Sequence, residues 1–181
     1  MSKLNFRSAI LIQKIWRGKN GRVGYEKERK KEFDKAGKMF LRELNACEKK
    51  LGFENEETLG SAQNYGVFLR EQLAEHKESE EYLRRVYEVR RQQAGDELCA
   101  DLASAAVALG TTLGACDKDE EALDLLREGV EILRAIVEGG DEDAGESLSQ
   151  ALSRLIATLE KLGKTDELAA LRNEIAALAT D

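Results

Sequence analysis

Proline is missing from all 181 residues, histidine occurs once, and aromatic side chains make up only 6% of the chain. No apolar run approaches the ~18 residues that a membrane span needs, and no secretory signal pattern is present. Cysteine is scarce: Cys47, Cys99 and Cys116 are odd in number, widely spaced and set among helical residues. They read as reduced core thiols of a cytosolic protein, not as a disulfide framework or a metal cluster. The chain lacks a phosphate-binding glycine loop, a dinucleotide fingerprint and a nucleophile elbow. His76 stands alone in the polar stretch A-E-H-K-E, where an exposed imidazole is far more often solvated surface than a general base. Asp141-Glu142-Asp143 with Gly145 fails as a calcium loop, because no third ligand precedes the glycine and no glutamate follows in register. The expectation is a chain with no catalytic residues, no metal and no cofactor.

What is abundant is charge, at 35% of residues, within a composition rich in Ala, Leu, Glu, Lys and Arg. Such a composition is helical and predicts an all-α fold. The charge is unevenly placed. Residues 1–32 hold ten basic and three acidic side chains, net +7, while the other 149 hold 18 and 32, net −14. A basic arm on an acidic body argues against nucleic acid as the main ligand, since the body repels phosphates.

The arm centres on Ser8–Tyr25, S-A-I-L-I-Q-K-I-W-R-G-K-N-G-R-V-G-Y. Leu11, Ile12, Ile15 and Trp16 form a tight apolar stripe at helical spacing. Gly18, Gly21 and Gly24 each cost roughly 1 kcal/mol against alanine in a helix. The segment therefore has a helix's pattern without a helix's propensity, which suggests that a partner grips it and completes it. No acid occurs before Glu26, so the counter-charge suits an acidic partner. From Leu4 to Glu26 a helix spans about 33 Å.

Ile12-Gln13-x-x-x-Arg17-Gly18-x-x-x-Arg22-x-x-Tyr25 resembles the full IQ motif, the helix that binds calmodulin and related light chains in myosins and many cytoskeletal proteins. The resemblance implies that Ile12 enters the apolar cleft of the partner's C-terminal lobe and that Gln13 bonds backbone at its edge. It implies that Arg17 meets carboxylates, that Gly18 permits close approach, and that Arg22 and Tyr25 engage the N-terminal lobe. Ile15 and Trp16 complete the expected calmodulin-binding face. Other readings stand beside this one. A basic amphipathic N-terminus also describes a mitochondrial presequence or a membrane-surface helix, and the stripe could pack on the protein's own helices. The glycines and short charged spacers count against the membrane.

Residues 26–51 form a charged, strongly helical segment with the stripe Phe33, Met39, Phe40, Leu44 and Cys47, ending at Gly52. The junction Y-E-K-E-R-K-K-E contains no breaker, so the arm can continue into it as one helix. The boundary between arm (1–32) and body (33–181) is set there. Beyond it the sequence repeats. Three stretches each read as helix, short polar turn, helix. Leu109-Gly110, Leu113, Ala122, Leu126 and Gly129 carry the middle unit; Tyr65-Gly66, Leu69, Ser79, Leu83 and Val86 fill comparable places in the first, with one extra residue in its turn. Leu152, Leu155, Leu159 and Leu168 match more loosely in the third. The acidic runs Glu78–Glu81 and Asp117–Glu121 open second helices, where they complement the helix dipole.

These positions resemble tetratricopeptide hairpins. The long spacing from Gly66 to Gly110 and the phrase K-K-L-G-F-E-N-E-E-T-L-G-S-A-Q-N resemble the kinesin light chain type, over residues 37–178. The proline common after that family's second helices is missing from every unit, and of its concave-face asparagines only Asn64 survives. The pattern thus favours a scaffold, with the helix at 165–179 (Leu168, Leu171, Ile175 and Leu178 on one side) as its cap. The expected protein is a tetratricopeptide-like solenoid with an extended N-terminal helix. It is an adaptor that holds calmodulin or a calmodulin-like light chain and docks on a larger protein assembly, with neither nucleic acid nor membrane as ligand. The combined resemblances imply a cytoplasmic protein of the cytoskeleton, cilium or flagellar axoneme. The alternative is a peptide-binding adaptor with a basic N-terminal targeting segment.

Overall fold

The computed structural model describes residues 22–95, 97–141 and 143–178, with side chains from 28 onward apart from 174 and 176–178. Helix α1, Arg22–Leu51, runs without a break to Gly52, whose φ of +83° reverses the chain. Asn55 caps α2, Glu56–Phe68, by accepting a hydrogen bond from the Glu57 backbone N–H at 3.0 Å. A π-helical turn, Leu69–Leu73, extends α2. There follow α3 (His76–Ala94), α4 (Ala100–Ala115), α5 (Asp119–Glu138), α6 (Ala144–Leu162) and α7 (Thr165–Leu178). No strand occurs among the described residues.

Consecutive helices pack on one another, and α4 also touches α2 and α6. The result is three hairpins, α2–α3, α4–α5 and α6–α7, stacked behind α1. Each hairpin turns through one left-handed residue, and the three occupy the same place: Ala74 (φ 55°), Asp117 (φ 58°) and Gly163 (φ 67°). Five residues later Ser79, Ala122 and Leu168 lie in the first turn of the second helices. The extra residue foreseen in the first turn is absorbed by the π turn. There the Glu75 N–H reaches back six residues to the Leu69 carbonyl, whereas Lys118 and Lys164 reach back five, to Leu113 and Leu159.

The hairpins close through glycine. Ser79 Oγ donates to the Gly66 carbonyl at 2.7 Å, and Leu83 sits where a Cβ on Gly66 would lie, its Cγ 2.7 Å away. Gly110 meets Leu126 and the Ala122 carbonyl in the same way, and a Cβ on Gly129 would lie 2.6 Å from Val107 Cγ2. Leucines fill the spaces between layers: Leu59, Leu83, Leu109, Leu113, Leu123 and Leu159 are completely buried.

Among the described side chains of α1, burial begins at Phe33, which packs with Ala36 against Phe68; residues 28–31 are exposed. Two sequence expectations need correction. Met39 is exposed at 38%, because no helix covers its side of α1 among the described residues. Its place in the stripe passes to Ala36 and Gly37, which lie under Phe68. His76 is half-buried, not solvated: it opens α3, and its Nδ1 is buried without a partner. The three cysteines are free and half-buried.

Ion pairs tie neighbouring hairpins together on the second-helix side. Arg84 bridges to Glu121 at 2.7 Å and Arg127 to Glu167 at 2.6 Å, from equivalent positions to equivalent positions. Arg91 and Tyr87 both donate to Glu128; burial first, and then the Glu128 carboxylate, push the Tyr87 phenol up to about 12. Glu80, only 13% exposed, accepts from Lys118 at 2.7 and 2.9 Å and from Arg84 at 3.0 Å. Burial works against its ionisation, but those hydrogen bonds prevail and hold its carboxyl below the usual range. Glu167 is likewise lowered, chiefly by the hydrogen bonds from Arg127.

A carboxyl lowered on folding contributes stability above its unfolded value and loses it as pH falls through its folded value. The melting temperature should therefore drop as pH falls below the ordinary glutamate value of 4.5, and Glu80→Gln should flatten that drop. Melts across the pH series check this; parallel curves for the two proteins would refute it.

Candidate functional site

The first helices of the three hairpins, α2, α4 and α6, line an inner cleft of about 440 Å³. Each contributes side chains one to two turns apart: Gln63, Val67 and Arg70 from α2, Ser104, Val107 and Thr111 from α4, Ser147, Gln150 and Arg154 from α6. Helical periodicity explains the arrangement, since residues i, i+3 or i+4 and i+7 share one face. The wall is apolar at Val67, Val107, Ala108 and Ala144 and polar above, with Asp141 and Asp143 on the α5–α6 link.

Two arginines fix the cleft's polar groups. Arg70 Nη1 donates to the Ala108 carbonyl at 3.0 Å and to Thr112 Oγ1 at 3.1 Å, and Nη2 pairs with Glu71 at 2.9 Å. Arg90, on α3 and only 6% exposed, lies behind the wall. Its Nη1 donates to Gln63 Oε1 at 2.6 Å and to the Asp101 carbonyl at 2.8 Å, and its Nη2 to Glu56 at 3.1 Å. Gln63 in turn donates from Nε2 to Ser104 Oγ at 2.8 Å. The chain Arg90–Gln63–Ser104 thus locks the amide of Gln63 across the α2–α4 junction. Arg90→Met keeps most of the packing but removes these bonds, and should cost about 1.5 kcal/mol. Urea unfolding measures the loss; a change under about 0.5 kcal/mol would mean that the network adds nothing beyond packing.

Asn64, the asparagine carried over from the family pattern, is exposed and does not line the cleft; its neighbour Gln63 does. Gln63, Arg70 and Arg90 escaped sequence reading. The seven-residue spacing of Gln63 and Arg70 was legible, but Arg90 sits in a run of charged residues that gave no sign of burial.

Ile12, Gln13, Ile15, Trp16, Arg17 and Gly18 lie outside the described residues. Arg22 and Tyr25 belong to the first turns of α1, and their side chains also lie outside them. Among the described residues no group of three His, Cys, Asp or Glu could hold a metal ion, and no helix is long and apolar enough to cross a membrane.

The stacked hairpins, their glycine contacts and the inner cleft define the class: an all-α helical-hairpin solenoid of the tetratricopeptide type. The solved structure of BtubC (BKLC) from P. vanneervenii, a kinesin light chain-like protein, has a similar fold, with a TM-score of 0.71 at 20% sequence identity. The match covers 82% of this chain and 57% of BtubC, so the chain spans little more than half the length of that protein. No protein-family model and no curated protein matches the sequence.

Proposed function

We propose that this chain is a non-catalytic adaptor in which an N-terminal helix binds calmodulin or a calmodulin-like light chain and the solenoid docks on a larger, cytoskeletal or axonemal assembly. The observation that carries the reading is α1. It is already helical at Arg22, inside the IQ-like pattern, and it continues unbroken to the first buried anchor at Phe33. A helix that leaves the body in this way makes residues 22–32 an extension of the fold and not a loose tether. The likeness to a kinesin light chain-like fold supports a protein-binding scaffold. The test is affinity purification of the full chain on calmodulin, with calcium and with chelator. Binding should persist in chelator, and absence of binding in both states would overturn the reading.

The inner cleft supports a second reading, a peptide-binding adaptor whose basic N-terminus is a targeting segment. Sequencing the N-terminus of the mature protein separates the two, since a targeting segment is cleaved near residue 25.

A further inference from the structure

The junctions between hairpins follow a charge rule that α1 breaks. The position just before Ser79, Ala122 and Leu168 is Glu78, Glu121 or Glu167, and the last two each receive an arginine from the preceding second helix. Seven residues on, Glu128 receives Arg91. Helix α1 aligns with these second helices through Ala36: Glu48 pairs with Arg85 (2.9 Å) from the same two positions, with the charges exchanged, that Arg91 and Glu128 occupy. On α1 the two outward positions are Lys35 and Arg42, and they lie in a row with Lys38 and Lys49.

All four are exposed. Among the described residues Lys35 pairs only with Glu32. The row covers about 21 Å of helix, on a chain whose residues 33–181 are net negative. Between the charges lie Met39 and Ala46, both exposed. Their counterparts in α5 are Leu125, which lies against Gly110 of its own first helix, and the buried Ile132. The face therefore has the shape of an internal junction with the opposite charge.

We infer that this face of α1, Lys35, Lys38, Met39, Arg42, Ala46 and Lys49, is a docking surface for an acidic α-helix of a partner protein. Charge selects the occupant. The second helices of the first two hairpins would bring Arg84 and Arg91, or Arg127 and Arg134, against Lys35 and Arg42, and the chain's own residues 1–21 are basic. A polyanion without apolar groups leaves Met39 and Ala46 uncovered. A helix with glutamates one turn apart, flanking small apolar side chains, satisfies both.

The probe is a labelled, stapled helical peptide with glutamate and leucine along one face, titrated into the full chain at low and moderate salt. It should bind, weaken with salt, and lose about tenfold or more in affinity against Lys38→Glu/Arg42→Glu/Lys49→Glu. Met39→Gln should weaken it, while Arg172→Glu, on α7 in the hairpin furthest from α1, and the arm variant Ile12→Ala/Gln13→Ala/Arg17→Ala should not. The last control separates this surface from the calmodulin reading. Circular dichroism melts confirm that the exposed substitutions leave the fold intact. Equal binding of a scrambled peptide of the same composition, equal binding to the triple variant, or tighter binding of a single-stranded oligonucleotide would each overturn the proposal.

Discussion

Gly66→Val destabilises the protein by about 3 kcal/mol or more, at the upper end of what overpacking a core costs. A Cβ at this position would lie 2.7 Å from Leu83 Cγ and 2.9 Å from Cδ2, and Leu83 is completely buried, with no space to retreat into. The two further methyls of valine enlarge the collision. Backbone adjustment is blocked as well, because the Gly66 carbonyl is held by Ser79 Oγ at 2.7 Å and α3 cannot move out without breaking that bond. The sharpest control is Gly60→Ala in the same helix. Gly60 has open space where its Cβ would lie, so alanine there only gains helix propensity and should stabilise by about 0.5–1 kcal/mol. Chemical denaturation of both variants reads the two signs side by side. Glycine at 66 is thus required by packing and at 60 it is not, although both stand at interior positions of α2. If Gly66→Val unfolded at the wild-type midpoint, the close approach of α2 and α3 would not be the contact that holds the first hairpin.

That contrast also marks how far the sequence could be read. The pairs Tyr65-Gly66 and Leu109-Gly110, each with a small residue 12 or 13 positions later, pointed to hairpins because small residues at fixed spacing are what close helix packing demands. The same periodicity located α4 and α5 and the extra residue in the first turn. What it could not show was which side of α1 is covered. Phe33, Met39, Phe40 and Leu44 have nearly the spacing of a buried stripe, but a helix at the edge of a stack has a neighbour on one flank only. Met39 falls on the other. The cleft was obscured for a different reason. Its polar wall depends on Arg90, buried at the junction of three helices by bonds to Gln63, Glu56 and the Asp101 carbonyl. Long-range pairing of that kind has no local signature, since the partners are 11 to 34 residues away. The charge of α1 was visible as composition but its meaning was not, because the junction rule emerges only when Arg84–Glu121 and Arg127–Glu167 are seen to repeat.

The second large effect concerns the arm. Ile12→Ala/Gln13→Ala/Arg17→Ala should reduce calmodulin binding by at least about a hundredfold, some 3 kcal/mol. Removing the isoleucine's outer carbons gives up about 2 kcal/mol of apolar burial. Losing charge-assisted hydrogen bonds from Arg17 adds about 1.5 kcal/mol or more, and Gln13 somewhat less. The three act in one interface, so their sum is an upper bound and the hundredfold figure is set below it. The same variant discriminates between the competing uses of the apolar stripe. If Ile12 and Trp16 packed on the protein's own helices, the substitutions would lower the melting temperature of the isolated chain. If they serve a partner, that temperature stays constant and only the increment added by calmodulin disappears. Gly18→Ala tightens the argument: it raises helix propensity by about 1 kcal/mol, yet should weaken binding if the partner's lobe needs to approach the backbone at that point. A variant that is a better helix and a poorer ligand is hard to reconcile with a membrane-surface segment, for which helicity and binding rise together.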